Sequence, residues 1–380
     1  MLTRKRQVPS KIEGTEGVAE ALAIGDAKSL VYNPKLNFDP SLFKRNPSRS
    51  TLSNIGDLVG KRPGSLTFGL EVRGSGFAAT PPDWVKHLRS CGCKVNLIKT
   101  LTIGAITAGP FVHGETITGG TSAATGRVIK RTVTGTTTLY VVVLTGTFQN
   151  AEVITGGTSG ATATTGSVAT TVGNVIEPDS GAPPSQTMQA LEDGISKILT
   201  GCRGKSKLSL KSGEPGMFDF DFSGVEGGVA DQALYSAPAY ETTKPPVFLS
   251  ATFSIDGVAL KINGFEIDFG QELSPVDDVN SARGISHFNI SDRRTVGSFS
   301  SQMVLVAAHA FHSKWFAGTE MEMNCAWGSV AGNQFAFYAP RVQYSKVEDE
   351  DSGGTQYAKA MFNLNGSLSP GDDEWALLCL

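Results

Sequence analysis

The sequence predicts an all-β protein, mainly strand with one or two short helices, on three observations. Apolar and polar residues alternate with a period of two in one segment after another, the pattern of strands with one buried face. Convincing helical periodicity is confined to one short stretch. Glycine makes up 44 of 380 residues, about 12% against a typical ~7%, which supplies turns between strands. The length is about two and a half times the ~150 residues of an average domain, so two or more compact units are expected.

Taken in order, residues 1–11 carry Arg4, Lys5 and Arg6 with no apolar run behind them, and read as a basic arm rather than a secretion signal. Residues 17–25 contain a short helical fragment, and residues 35–55, with Lys35, Phe38 and Phe43, look like an extended arm or loop. In SLTFGLEVRG, Leu66, Phe68, Leu70 and Val72 alternate with polar or small residues, as in a strand. PPDWVKHLRSCG follows, where Asp83 is a plausible N-cap and Trp84, Val85 and Leu88 share an apolar stripe.

Between residues 109 and 168 the composition turns to Gly, Thr, Ala and Val, and the chain repeats itself at an offset of 37: Phe111 matches Phe148, Glu115 matches Glu152, and Ile117 to Ser122 match Ile154 to Ser159. The β-branched strand TTLYVVVLTG lies between the copies. Two copies are too few for a free solenoid, so a small β-domain of two similar halves, residues 101–172, inserted into a host formed by residues 1–100 and 173–380, is expected.

Residues 186–201 fit either a helix, from the spacing of Met188, Leu191, Ile195 and Leu199, or a hairpin about Asp193-Gly194. Beyond them, Leu208 and Leu210, then Phe218, Phe220 and Phe222, alternate with Lys207, Ser209, Lys211, Asp219 and Asp221, giving a hairpin with one aromatic face. Further strands are expected at 247–255, 259–269, 297–305, 320–327, 335–343 and 358–364. The acidic run Glu348, Asp349, Glu350 and Asp351 reads as a solvated hairpin loop, with repulsion of phosphates as its functional reading.

Lys plus Arg total 33 and Asp plus Glu 36, a net charge of −3, which gives no global field for holding nucleic acid. The longest aliphatic or aromatic run, Leu139 to Leu144, is far short of the ~20 residues of a membrane helix. Five cysteines, Cys91, Cys93, Cys202, Cys325 and Cys379, suit a reduced compartment better than a disulfide framework, with a bridge between subunits through Cys379 as the lesser reading. GCRGKSKL has the tail of a phosphate-binding loop, but its first glycine would fall on Leu199. His309 and His312 have ligand spacing without a completing carboxylate or cysteine, and ordinary histidines are the simpler reading. Nothing here requires catalysis, a metal or a cofactor.

Outside the repeat, four blocks resemble, in the right order, the tail tube proteins of long-tailed bacteriophages. They are SLTFGLEVRGSG with PPDWVKHLRSCG, SQTMQALEDGISKILTGCRGKSKLSLKSGEPGMFDFDFSG, GFEIDFGQELSPVDDVNSARGISHFNISDRRTVGSFS, and APRVQYSKVEDEDSGGTQYAKAMFNLNG. The resemblance decides residues 186–201 in favour of the hairpin. It implies a β-sandwich or β-barrel subunit assembling as hexameric rings, stacked into a virion tail tube that conducts viral DNA without gripping it. Made in the host cytoplasm, such a subunit would meet itself, a tail terminator, tail tip proteins and a tape measure protein. The repeat domain, absent from the minimal fold, would project outward. Arg4, Lys5, Arg6, Lys35, Phe38 and Phe43 are candidates for arms reaching a neighbouring subunit or ring, and Lys207, Ser209, Lys211, Asp219 and Asp221 for the channel or a solvated face. The rival readings are a carbohydrate-binding or adhesive β-protein of the virion surface, suggested by the Gly/Thr-rich repeat, and a hydrolase using His309 or His312.

Overall fold

In the computed structural model, which describes residues 4–133 and 135–380, the chain is overwhelmingly strand, and 22 strands share one hydrogen-bonded network. Its backbone is an antiparallel run of eight strands. Across the sheet they are Val31–Phe38, Pro63–Glu71, Met217–Gln232, Gly194–Lys211, Ile262–Asp268, Val296–Gln302, Thr355–Leu364 and Phe335–Ser352. The alternation read from the sequence sets its two faces. Leu208, Leu210, Phe218, Phe220 and Phe222 point inward to the main core, and Lys207, Lys211, Asp219 and Asp221 point to solvent. A one-residue slip would exchange the faces and drive those charges into the core, so burial fixes the register.

The core is aromatic and closed by the short helix Val85–Ser90. Trp84 packs on Phe218 at 4.9 Å between ring centroids and donates its indole N–H to the carbonyl of Arg73 at 2.7 Å, which settles the polar end of a buried ring. Asp83 does not cap this helix. Its carboxylate instead accepts from the Ser29 hydroxyl and pairs with Lys86 at 3.0 Å, because long-range partners compete with the local cap. The helical fragment expected at residues 17–25 is reduced to a 3-10 turn, Ile24–Asp26, with no buried side chain to hold a longer helix.

Asp193-Gly194 makes the two-residue turn of a long hairpin, with Glu192 opposite Ile195 and φ of 39° and 112° at the two turn positions. The hairpin prevails over the helical spacing because both of its strands find partners: Ser10–Ile12 beside Gln186–Glu192, and Met217–Gln232 beside Gly194–Lys211. The segment at 35–55 divides. Lys35 and Phe38 belong to the Val31–Phe38 strand, while Leu42–Phe43 and Leu58–Val59 pair as a separate two-stranded ribbon. The acidic run lies within the Phe335–Ser352 strand rather than in a loop, since pairing with Thr355–Leu364 continues to the Gly353-Gly354 turn. All five cysteines are free and buried; Cys379 lies opposite Asn174 and Phe335, inside the sheet.

The repeat has its own apolar cluster, in which Phe111 and Phe148 are fully buried at equivalent positions. The copies pair with each other about a quasi-twofold axis, Thr118 opposite Thr155 and Ile117 opposite Gly156. Two carboxylates lock the pairing reciprocally. Glu115 accepts from the backbone N–H and hydroxyl of Ser159 at 3.0 and 2.9 Å, and Glu152 accepts the same two bonds from Ser122 at 3.0 and 2.8 Å. Gly119 and Gly156 leave room for these carboxylates, since a Cβ there would meet Glu152 or Glu115 within 2.7 Å. The unit is seated on the rest of the chain by the Cys93–Thr102 and Thr170–Pro178 strands, by a small cluster including Ile98, Val142, Val175 and Tyr338, and by a bidentate Arg127–Glu177 pair.

Candidate channel-facing and assembly surfaces

The solvent face of the main sheet carries charge in stripes, because each strand contributes every second residue and neighbouring strands differ in sign. Asp219 and Asp221 on one strand lie opposite Lys207 and Lys205 on the next. Lys207 also faces Asp268, and its Nζ is 2.7 Å from that carboxylate, a hydrogen bond that holds the ammonium above its ordinary pKa. Glu266 faces Ser298, and Lys359 faces both Ser300 and Glu348. The Lys346 ammonium bonds Glu348 and keeps that carboxyl below the usual range, and Glu350 is 3.5 Å from Lys359. Lys35, Lys205, Lys207, Lys211, Lys346 and Lys359 thus stand against Glu71, Asp219, Asp221, Glu266, Asp268, Glu348 and Glu350, leaving the face slightly acidic. Ser209 lies on it half-buried. Strand alternation splits the acidic run, turning Glu348 and Glu350 to this face and Asp349 toward His312, 3.9 Å away.

The ribbon between residues 39 and 62 is an exposed apolar element. Leu42 is 60% and Phe43 68% exposed, with Leu58 and Val59 alongside and Leu52 fully in solvent. Its base is fixed: Ser41 N–H donates to Lys61 O at 2.8 Å, Arg62 N–H to Arg283 O at 3.2 Å, and Lys61 pairs with Asp277 at 2.5 Å. A second apolar group, Leu305, Val306 and Phe316, is exposed around the helix Phe311–Phe316.

The amino-terminal arm is largely committed to its own subunit. Arg6 donates to Pro34 O at 2.8 Å and stands opposite Glu192, so it does not reach outward; Arg4 and Lys5 are exposed, and residues 1–3 lie outside the described residues. Behind it the Glu13 carboxylate accepts from Gly17 N–H, the Ser185 and Thr187 hydroxyls and Gly201 N–H, at 2.5 to 2.9 Å. Nothing in the local pattern marks Glu13, since its donors come from 4 to 188 residues away.

His309 is buried against Phe311, and its Nε2 is 2.9 Å from the Tyr344 hydroxyl. Burial, aided by the Lys314 charge, lowers its pKa. It meets no carboxylate and stands apart from the exposed His312–Asp349 pair, so the two histidines do not form one site. The described residues hold no group of three or more His, Cys, Asp or Glu able to bind a metal. GCRGKSKL is continuous strand, with Arg203 anchored on Pro183 O and Phe288 O. No helix is long and apolar enough to cross a membrane among the described residues.

No curated protein matches the chain. A family model described as phage tail tube protein matches residues 106–366, well over half of the chain, and the match takes in the repeat as well as most of the main sheet. An all-β subunit with a polar open sheet face and an unburied apolar ribbon is in keeping with that match, and the chain belongs to the phage tail tube protein family.

Proposed function

We propose that the protein assembles as stacked hexameric rings into the tube of a phage tail, with the charge-striped sheet face lining the channel through which viral DNA passes. The observation that carries this reading is the face itself: a broad sheet surface with no covering layer, slightly acidic and free of any basic cluster. A basic wall would hold phosphates and release counterions at every step of transit, whereas alternating stripes present DNA with no net attraction. Among the described residues Val31–Phe38 pairs on one side only, with Pro63–Glu71, and such an edge is satisfied when rings close by strand pairing between subunits. The 39–62 ribbon, with Phe43 at its apolar face, is the contact to the next ring; Lys35 and Phe38 lie at its root, and Arg4 and Lys5 reach outward near the amino terminus.

The repeat unit, residues 101–172, projects from the outside of the tube, and the tail terminator, tail tip and tape measure proteins are the expected partners at its ends and in its lumen. Electron microscopy of the purified protein tests the assembly: hollow tubes of uniform bore are expected, and a protein that remains monomeric at high concentration, even with tube fragments as seeds, overturns it.

A further inference from the structure

The repeat unit and the main body leave between them a cleft of about 1200 Å³. That exceeds the ~300–1,000 Å³ of ordinary small-molecule pockets and is large for a lone ion. Six carboxylates line it, and each already has a partner. Glu115 is held by the Thr158-Ser159 turn, Asp256 by Lys314, and Glu320 by Asn365. Glu322 pairs with Arg131, Asp372 with Arg293, and Asp373 with Arg341. Arg127, the remaining arginine of the lining, is committed to Glu177.

Two cations are left over. Lys94 and Lys130 line the cleft, and their side chains make no hydrogen bond or ion pair with any described residue. Lys130 is partly buried, and burial pulls its pKa down against the weaker opposing field of Glu322. A desolvated ammonium without a partner costs stability, so its position calls for an anion from outside the chain. Beside it, the His113 ring engages Ile129 O through Nδ1, which places the proton there and leaves Nε2 as a buried acceptor without a donor. The buried Tyr338 ring backs His113 at 5.2 Å, and the partly exposed Tyr140 gives the lining an aromatic surface.

We infer that this cleft binds an anionic oligosaccharide, its acidic group on Lys130 and Lys94, a sugar hydroxyl donating to His113 Nε2, and a ring face against Tyr140. Unpaired cations, an acceptor awaiting a hydroxyl, and an aromatic face in a cleft larger than a single small molecule needs are the elements such a ligand calls for. The site is complete within one subunit and does not depend on tube assembly.

Calorimetric titration of the full chain with trigalacturonate, a phosphorylated maltotriose and maltotriose tests it. At least one acidic oligomer is expected to bind, with maltotriose tenfold or more weaker, and the preference between carboxylate and phosphate identifies the acidic group. Lys130→Met should reduce the affinity at least tenfold while melting no lower than the parent, and His113→Phe should weaken it several-fold. Failure of both acidic oligomers to bind, equal binding of maltotriose, or undiminished binding by Lys130→Met overturns the proposal. A lower melting temperature for Lys130→Met makes the lysine a structural group, and loss of tubes without any effect on sugar assigns the cleft to a second copy of the chain; either result overturns it.

Discussion

Single residues decide how the repeat unit closes and how the core responds to acid. Burial pushes the Glu152 carboxyl up, but the N–H groups of Ser122, Gln149 and Thr121 and the Ser122 hydroxyl outweigh it and hold the group below its ordinary pKa. Stability from this carboxylate is therefore present above the unfolded value near ~4.3 and is lost as pH falls through the lower folded value. Glu152→Gln should cost about 1–3 kcal/mol at pH 7, with the two proteins converging as acid protonates the parent carboxyl; urea denaturation across pH measures both. His87 has the opposite chemistry and the same sign. Fully buried among Phe68, Phe220 and Phe222, it is pushed down to about 3 by burial and by the Lys86 charge, against Asp83 and Gln186. The unfolded chain takes up a proton near pH ~6.5 and the folded one does not, so stability falls from there toward pH 3. His87→Phe should remove roughly 2 kcal/mol of the stability difference between pH 7 and pH 4.5, read from guanidinium midpoints. Equal pH dependence in parent and variant would refute the assignment.

At the scale of elements, the 39–62 ribbon is where folding and the proposed ring stacking can be tested apart. Its side chains add little to the core, whereas its base is held by backbone bonds and the Lys61–Asp277 pair. Replacing Leu42 and Phe43 by Glu should change subunit stability by no more than about 0.5 kcal/mol each, the range of ordinary surface substitutions, yet prevent stacking. Circular dichroism melts and electron microscopy of the same sample distinguish the two effects. Much of this level was legible in advance. The Phe218 to Phe222 strand and the short helix at Trp84 follow from periodicity, whereas at Asp193-Gly194 turn chemistry and helical spacing conflicted and the family resemblance decided for the hairpin. The ribbon was not legible, because residues 39–62 have no regular period and their pairing is brief. The acidic run was misread for a related reason: four successive carboxylates suggest a solvated loop, and only pairing with Thr355–Leu364 keeps them in a strand.

For the whole molecule, the balance of the sheet face matters more than the net charge of −3. Asp219→Lys with Asp221→Lys should leave tubes intact and turn the face basic. Such tubes are expected to retain linear DNA at low salt and release it as salt rises, with a slope of about 0.9 per neutralised phosphate, while parent tubes retain none. Filter retention across a salt series would show it, and retention by the parent equal to that of the variant would remove the face from the channel.

The sequence alone determined the β character, the alternating faces, the main hairpins and the 37-residue repeat, because all of these arise from periodicity and turn chemistry within a few residues of one another. Tertiary structure decided what those elements touch. Glu115 and Glu152 were visible as equivalent positions, but that each closes the opposite copy follows only when Thr118 meets Thr155 across the quasi-twofold axis. Glu13 became a hub, Asp83 lost its expected cap, and Lys130 was left without a counter-charge for the same physical reason: a polar group's partner is set by which distant backbone and side-chain atoms the packed sheet brings within hydrogen-bond reach, and sequence spacing does not encode that distance.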